Sequence, residues 1–190
     1  MNTKLQYIIV AGVNGAGKST LYQTIPEIFE HTQRINADEI LNKNQGDWQK
    51  NADNMKAMRE VIQQMNQAID AKKSFHQETT LSGQGQIKWI EKARNSGFQV
   101  NLLYVGLDSA DLAIKRVQQR VEKGGHGIPK ERIRKRYFQS LKNLALIAPL
   151  CDNIMIYDNT TNFIPIFEQH NDKVLFNNTE LIPWIPHCFR

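Results

Sequence analysis

Close to its amino end the chain reads Tyr7-Ile8-Ile9-Val10-Ala11-Gly12-Val13-Asn14-Gly15-Ala16-Gly17-Lys18-Ser19-Thr20. Apolar residues run almost without a break over 5–11, which is typical of a strand buried on both faces of a parallel sheet. The eight residues from Gly12 to Ser19 place glycine at the first and sixth positions, then lysine and serine, and so satisfy the phosphate-loop pattern. Because the pattern follows a strand and opens a helix, it predicts a binding site for a nucleoside triphosphate.

Each residue type in this loop has a physical reason. Glycines let the backbone curl so that successive N–H groups face the phosphates, and the following helix adds the partial positive charge of its amino end. We expect Lys18 to reach the β- and γ-phosphates of ATP and the Ser19 hydroxyl to bind Mg²⁺. The predicted nucleotide contacts are therefore Gly12, Asn14, Gly15, Ala16, Gly17, Lys18, Ser19 and Thr20.

Strand and helix patterns alternate along the chain. Strands are predicted over 5–11, 33–37, 74–78, 98–105 and 154–157, and helices over 18–29, 52–71, 82–96, from a cap at Ser109, and over 130–147. This order predicts an α/β three-layer sandwich with a mainly parallel sheet of at least five strands. No linker or repeat interrupts residues 1–190, which indicates a single domain, with a terminal hairpin within 160–178.

The predicted helix over 52–71 carries an apolar stripe. Its members step by three and four residues, as expected for one helical face packed in the core. They are Met55, Met58, Ile62, Met65 and Ile69.

Positive charge is concentrated in one segment. The 190 residues carry a formal charge of +5, but nine basic and two acidic residues between Lys115 and Arg136 give that segment +7 and leave −2 for the rest. A protein that coats nucleic acid would spread its charge more widely, so nucleic acid is not the expected partner. The chain also has no apolar run long enough for a membrane span and no signal peptide, which predicts a cytoplasmic protein.

The basic segment suits a helical lid over a triphosphate, because phosphoryl transfer depends on cations that stabilise the charge of the transferring group. Arg116 and Arg120 lie four residues apart on one helical face and are expected to act in catalysis. Arg136 and His126, the latter in a glycine-rich loop, are predicted phosphate contacts. Most of the lysines are expected to form a solvated face.

Two carboxylates follow predicted strands, where ligands bind in a sheet of this class. Asp38 is placed to accept the proton of an attacking hydroxyl as general base, and the alternative is that it caps the next helix. Glu78 ends the third strand and, with Thr79 and Thr80, is predicted to contact the substrate hydroxyl or Mg²⁺. A solvated strand end is the alternative for this group.

Other phosphate-loop classes fit less well. The nearest match to the Asn-Lys-x-Asp motif of GTPases is Asn42-Lys43-Asn44-Gln45, which lacks the aspartate. The stretch Leu81-Ser82-Gly83-Gln84-Gly85 looks like a scrambled signature of ABC-type ATPases, but no apolar strand ending in Asp-Glu follows it. We interpret that stretch as a loop leading into a helix.

Taken together, these motifs resemble the zeta-toxin family of phosphate-loop kinases. The resemblance runs from Tyr7 to about Asn159 and includes the phosphate loop, Asn36-Ala37-Asp38, Glu78-Thr79-Thr80, Arg116 with Arg120, Gly124-Gly125-His126, Arg136-Tyr137 and Tyr157-Asp158-Asn159.

The resemblance implies ATP-dependent phosphorylation of a hydroxyl on a small metabolite, in characterised members a UDP-activated amino sugar, and an antitoxin partner. Asp38 matches the family's base, Lys18 its loop lysine, Glu78 its substrate-pocket acid, and Arg120 or Arg116 its first lid arginine. The second lid arginine falls near His126, which is not permanently charged. The alternatives are a nucleotide-driven ATPase switch and a polynucleotide-end kinase.

Overall fold

The computed structural model describes residues 4–125 and 127–190, and seven strands within them form one sheet. His126, with its predicted phosphate contact, lies outside the described residues. In chain order the strands are β1 (Gln6–Ala11), β2 (Gln33–Ile35), β3 (Phe75–Thr79), β4 (Gln99–Gly106), β5 (Asn153–Asp158), β6 (Ile164–His170) and β7 (Lys173–Asn177). Their order across the sheet is β2-β3-β1-β4-β5-β6-β7.

The first five strands are parallel, and β6 and β7 add an antiparallel hairpin at one edge. Six helices accompany the sheet in the described residues: α1 (Leu21–Thr24), α2 (Ala37–Lys43), α3 (Asn51–Asp70), α4 (Gln86–Asn95), α5 (Ala110–Glu122) and α6 (Lys130–Ile147). This arrangement confirms the predicted α/β class with a mainly parallel sheet.

Two hydrophobic clusters cover opposite faces of the sheet, because side chains alternate along each strand. Tyr7 and Ile9 of β1 belong to the cluster formed with α3, α4 and the end of α6. Ile8 and Val10 belong to the cluster formed with α1, α5 and the start of α6. The sheet is therefore the middle layer of the predicted three-layer sandwich.

The carboxyl ends of the parallel strands lie at one edge of the sheet, and this edge carries every element of the candidate site. The phosphate loop follows β1, Asn36 follows β2, Glu78 lies near the end of β3, and Asn159 follows β5. Residues far apart in sequence are brought together there because parallel strands all end on the same side.

The helix predicted over 18–29 is interrupted. It consists of a 3₁₀ turn over Lys18–Thr20, the short helix α1 and a second 3₁₀ turn over Pro26–Ile28. Ile25 leaves helical geometry, with φ −135° and ψ 58°. The residue before a proline is disfavoured in the α-helical region, so Pro26 ends the helix earlier than the apolar pattern predicts.

The predicted core stripe of α3 is only partly correct. Met55, Met58 and Ile62 are 56%, 49% and 45% exposed, whereas Met65 and Ile69 are buried. The face that packs against the sheet also includes Ala57, Val61 and Ala68. In the first half of α3 the buried face carries Ala57 and Val61, and the larger Met55, Met58 and Ile62 lie on the exposed side. Small buried side chains allow the helix to pack closely against its neighbours.

No helix of the described residues has the length and hydropathy needed to cross a membrane. The two cysteines are unpaired: Cys151 is buried and Cys188 is exposed. Burial raises the pKa of the Cys151 thiol to about 12, so this residue behaves as an apolar core group.

The two faces of α3 can be compared by substitution. We expect Met65→Ala to lower the free energy of unfolding by about 2–5 kcal/mol, because it leaves a cavity in the core. The matched control Met55→Ala is expected to change it by no more than about 0.5 kcal/mol. Urea denaturation measures both values, and equal losses would contradict the orientation of α3.

Candidate active site

The phosphate loop has glycine where the backbone permits nothing larger. Gly12 has φ +142°, and a Cβ there would lie 2.3 Å from the carbonyl oxygen of Val105 on β4. Gly17 has φ +90°, and its Cβ would lie 2.3 Å from Nδ2 of Asn159. Both positions combine a left-handed backbone with a close neighbour, so the curled loop depends on them.

Lys18 is held inside this loop. Its Nζ donates to the carbonyl oxygens of Gly12, at 2.9 Å, and Val13, at 3.4 Å, and the residue is only 8% exposed. Glu78 Oε1 lies 3.9 Å from the same nitrogen. Burial lowers the pKa of the Lys18 ammonium, and the carboxylates of Glu78 and Asp38 oppose that shift. The site therefore concentrates a poorly solvated positive charge at the centre of the loop.

Glu78 is fixed by donors from β2 and from the residue that follows it. Its Oε2 accepts hydrogen bonds from Asn36 Nδ2, at 2.7 Å, and from Arg34 Nη2, at 3.3 Å. Arg34 also pairs with Glu39 at 2.9 Å and lies 4.2 Å from the centre of the Tyr22 ring. These contacts hold the Glu78 carboxylate beside Lys18.

Arg34 was not among the residues predicted from the sequence. Its signal was weak but present, because Arg34 and Asn36 stand two residues apart and alternate residues of a strand share a face. What the sequence does not contain is the parallel pairing of β2 with β3, which places Arg34 opposite His76 and next to Glu78.

Asp38 lies in the first turn of α2 and does not cap that helix. The cap is Asn36, whose Oδ1 accepts from the backbone N–H groups of Asp38, at 2.8 Å, and Glu39, at 3.3 Å. The alternative role of Asp38 as helix cap is therefore wrong. Among residues 4–125 and 127–190 the Asp38 carboxylate makes no hydrogen bond or ion pair, and its charge acts on Lys18 and Arg136.

Two of the predicted lid arginines approach the loop. Arg136 donates from Nη1 to Asn14 Oδ1 at 2.9 Å. Burial and the neighbouring Arg132 lower the pKa of Arg136, and Asp38 opposes that shift. Arg120 lies close enough to Lys18 for its charge to lower the lysine pKa. The loop is therefore contacted by a cation of α6, and the charge of Arg120 on α5 acts on its lysine.

Arg116 has a different environment. Its Nη2 donates to the carbonyl oxygen of Thr160 at 3.1 Å, on the β5 side of the loop. Its Cβ would lie 3.4 Å from a Cβ at Gly15, so Arg116 packs against the loop while its guanidinium bonds to Thr160, and its catalytic role stays a prediction.

Thr79 and Thr80 shape the turn after β3. Thr79 Oγ1 accepts from the backbone N–H of Leu81 at 3.1 Å, and the Thr80 and Ser82 hydroxyls lie 2.8 Å apart. The turn leads from β3 into α4, as interpreted from the sequence. Both threonines are half-buried next to Glu78, and their predicted contacts with substrate stay predictions.

The residues around Ser19 suit a magnesium ion that arrives with phosphates. Ser19 is exposed, directly after Lys18. The described residues contain no group of three or more histidine, cysteine, aspartate or glutamate side chains able to hold a metal. Mg²⁺ commonly keeps several waters and binds through few protein ligands plus substrate phosphates, so one hydroxyl beside a phosphate site fits it.

Comparison with known proteins shows the family of the chain. The model of the Zeta toxin family matches residues 3–180, which is most of the chain. The chain belongs to the Zeta toxin family. An uncharacterized protein of Haemophilus influenzae is 32% identical over 130 residues, which cover 68% of this chain and 91% of that protein.

Solved structures show the same zeta-toxin fold. A protein of the PezAT toxin–antitoxin system of Streptococcus pneumoniae is 17% identical, with a TM-score of 0.62 over 86% of this chain and 72% of its own. A chain of the AvrRxo1-ORF1:ORF2 complex with ATP is 13% identical, with a TM-score of 0.77 over 96% of this chain and 64% of its own. A putative kinase of Chloroflexus aurantiacus is 17% identical, with a TM-score of 0.57 over 84% of this chain and 90% of its own.

At these identities the structural likenesses establish the fold. Together with membership of the zeta-toxin family, a kinase-like fold supports phosphotransferase activity. The phosphate acceptor is a separate question, because function depends on the site that each protein builds on a shared fold.

Strand β3 also carries a buried histidine, two residues before Glu78. His76 is 3% exposed, and its Nδ1 lies 2.7 Å from Thr32 Oγ1. That hydroxyl donates to the carbonyl of Phe29, so it accepts from Nδ1–H and leaves Nε2 unprotonated. Nε2 and the Tyr22 hydroxyl have no hydrogen-bond partner within the described part of the chain. Burial and the charge of Arg34 lower the pKa of His76 to about 4.

This histidine predicts a pH dependence of stability. Between about pH 6.5 and pH 4 the unfolded chain protonates His76 while the folded protein does not, so the free energy of unfolding falls as the pH falls. The loss attributable to His76 is at most ~3 kcal/mol. Urea denaturation from pH 7 to pH 4.5 should show a shallower pH slope for His76→Gln than for the wild type. The exposed His170→Gln serves as control, and equal slopes in all three proteins would refute the assignment.

Proposed function

We propose that the protein is an ATP-dependent kinase that transfers the γ-phosphate to a hydroxyl of a small metabolite. The observation that carries this proposal is the Asp38 carboxylate, which makes no hydrogen bond or ion pair within residues 4–125 and 127–190 and whose charge acts on the buried ammonium of Lys18 and on the guanidinium of Arg136. A nucleotide switch needs cations around the phosphates, but it does not need a proton acceptor for an alcohol. An alcohol kinase needs both.

The reaction follows from the positions of these groups. The acceptor oxygen forms a bond with the γ-phosphorus, the bond between that phosphorus and the β–γ bridging oxygen breaks, and ADP leaves. Asp38 accepts the hydroxyl proton as the acceptor attacks. Lys18, Arg120 and Arg136 offset negative charge on the transferring group and on the leaving phosphate. Glu78, fixed by Arg34 and Asn36, keeps Lys18 in place.

The Ser19 hydroxyl would hold Mg²⁺ together with phosphate oxygens. When bound, the ion would supply positive charge that offsets the negative charge of the phosphates. The ATP complex of the AvrRxo1-ORF1:ORF2 protein supports ATP as the nucleotide.

The acceptor is proposed to bind on the side of the loop where Asp38, Glu78, Thr79 and Thr80 lie. In-line transfer places the attacking oxygen opposite the leaving ADP, and the carboxylate that takes the proton must lie on the acceptor side. Family membership favours a UDP-activated amino sugar as acceptor. It also supports a cytoplasmic toxin with a protein antitoxin, as the PezAT system of Streptococcus pneumoniae pairs a toxin with an antitoxin.

Substitution of Asp38 separates binding from transfer. We expect Asp38→Asn to slow phosphoryl transfer about 10²- to 10⁴-fold, because the general base is lost. Its dissociation constant for ATP should stay within about twofold of the wild type, since the Asp38 carboxylate makes no hydrogen bond or ion pair with the phosphate loop in the described residues. Asp70→Asn, an exposed aspartate on α3, is the control. Transfer at the wild-type rate in Asp38→Asn would remove Asp38 as the base.

Substitution of Lys18 tests the nucleotide site itself. We expect Lys18→Ala to abolish ATP binding measured by isothermal titration calorimetry, because it removes the buried ammonium that lies inside the phosphate loop. Lys56→Ala, on an exposed face of α3, should bind normally. Unchanged affinity in Lys18→Ala would contradict the proposed function at its first step.

The acceptor can be identified by transfer of labelled γ-phosphate from ATP to UDP-sugars, free sugars, nucleosides and oligonucleotides, with products resolved by mass. We expect a labelled UDP-amino sugar. A labelled oligonucleotide would instead support a polynucleotide-end kinase, and release of inorganic phosphate with every acceptor unlabelled would support an ATPase switch.

A further inference from the structure

The segment that follows β5 joins the phosphate loop to the rest of the protein. Asn159 Nδ2 donates to the carbonyl oxygen of Ala16 at 2.8 Å, within the loop. The same nitrogen is the atom that a side chain at Gly17 would strike. The Asn159 backbone N–H donates to the carbonyl of Gly106 at 3.0 Å, which ties the segment to the end of β4. Asn159 therefore links the Ala16 carbonyl of the phosphate loop to the end of β4.

Asn159 is itself held by its neighbours. Asp158 is buried, and its Oδ1 accepts from Thr160 Oγ1 at 2.6 Å and from Trp184 Nε1 at 2.7 Å. Thr160 Oγ1 also accepts from the backbone N–H of Asp108 at 3.1 Å, and its carbonyl accepts from Arg116. A buried carboxylate with two donors is a rigid point, because breaking either bond removes one of the two hydrogen bonds that offset its loss of hydration.

Trp184 belongs to the chain that follows the β6–β7 hairpin. The residue is 7% exposed, and its ring covers Gly106, where a Cβ would lie 2.1 Å from Trp184 Cη2. The tail is anchored by the Thr179 hydroxyl, which donates to the carbonyl of Phe189 at 2.7 Å. Trp184 lies beyond residues 3–180, the part of the chain that the family model matches.

We propose that Trp184 is a positioning residue for nucleotide binding. Its indole N–H holds Asp158, the Asp158–Thr160 segment holds Asn159, and Asn159 holds the carbonyl of Ala16 so that the loop N–H groups point at the phosphates. A loop fixed in its bound conformation loses less entropy when the ligand arrives, so it binds more tightly. This inference rests on the proposed function, since it assumes that the loop binds a nucleotide.

The test is the substitution Trp184→Phe, which keeps an aromatic ring over Gly106 and removes the N–H. We expect the dissociation constants of ATP and ADP to rise together, by about 5- to 20-fold, because the carbonyl of Ala16 lies in the loop and not at the γ-phosphate. The KM of the acceptor should not change. Trp89→Phe, a partly buried tryptophan of α4, is the matched control and should bind ATP as the wild type does.

A double-mutant cycle distinguishes positioning from a general loss of stability. If Trp184 acts through Asn159, Trp184→Phe should weaken ATP binding by less than about twofold in an Asn159→Ala background. Full additivity, or a wild-type dissociation constant in Trp184→Phe at a temperature where it is folded, would overturn the proposal.

Two further outcomes are informative. If Trp184→Phe does not fold, Thr160→Val removes the other donor to Asp158 while the tryptophan stays packed, and wild-type ATP affinity in that variant would overturn the proposal. If the wild-type protein binds no ATP, the proposed function fails and the contacts of Trp184 are not the cause.

Discussion

A single buried charge organises this site. The ammonium of Lys18 lies inside the phosphate loop, bonded to the carbonyls of Gly12 and Val13 and 3.9 Å from a carboxylate of Glu78. A poorly solvated cation is tolerated only where dipoles and anions surround it. The curled loop supplies the dipoles and β3 supplies the anion, and together they make a centre that favours phosphate.

The carboxylates around this charge differ in their partners. Glu78 accepts from Arg34 and Asn36 through one oxygen, and its other oxygen faces Lys18. Asn36 caps α2, so the Asp38 carboxylate is not needed as a cap and makes no hydrogen bond within the described residues. One asparagine thus caps the helix with its oxygen and orients Glu78 with its nitrogen. The proton transfer proposed for Asp38 uses the carboxylate that this arrangement leaves unengaged among the described residues.

Residues at the end of β5 and in the chain after β7 support the phosphate loop through another set of contacts. Asn159 bonds to Ala16, and Asp158 receives the indole of Trp184. Asn159 supports the loop through Ala16, and Arg136 of α6 contacts the loop at Asn14. Gly106 permits this arrangement, because any side chain there would occupy the place of the Trp184 ring.

The local pattern of the sequence by itself determined the phosphate loop, the alternation of strands and helices, and the places of Asp38 and Glu78 near the ends of two strands, since these depend on neighbours along the chain. Tertiary structure decided which half of the α3 stripe is buried, that Asn36 and not Asp38 caps α2, and that Arg116 donates to Thr160. It also decided that Arg34 contacts Glu78 and that Trp184 contacts Asp158. Those outcomes depend on which strands pair and which faces pack, and such contacts join residues that no local pattern relates.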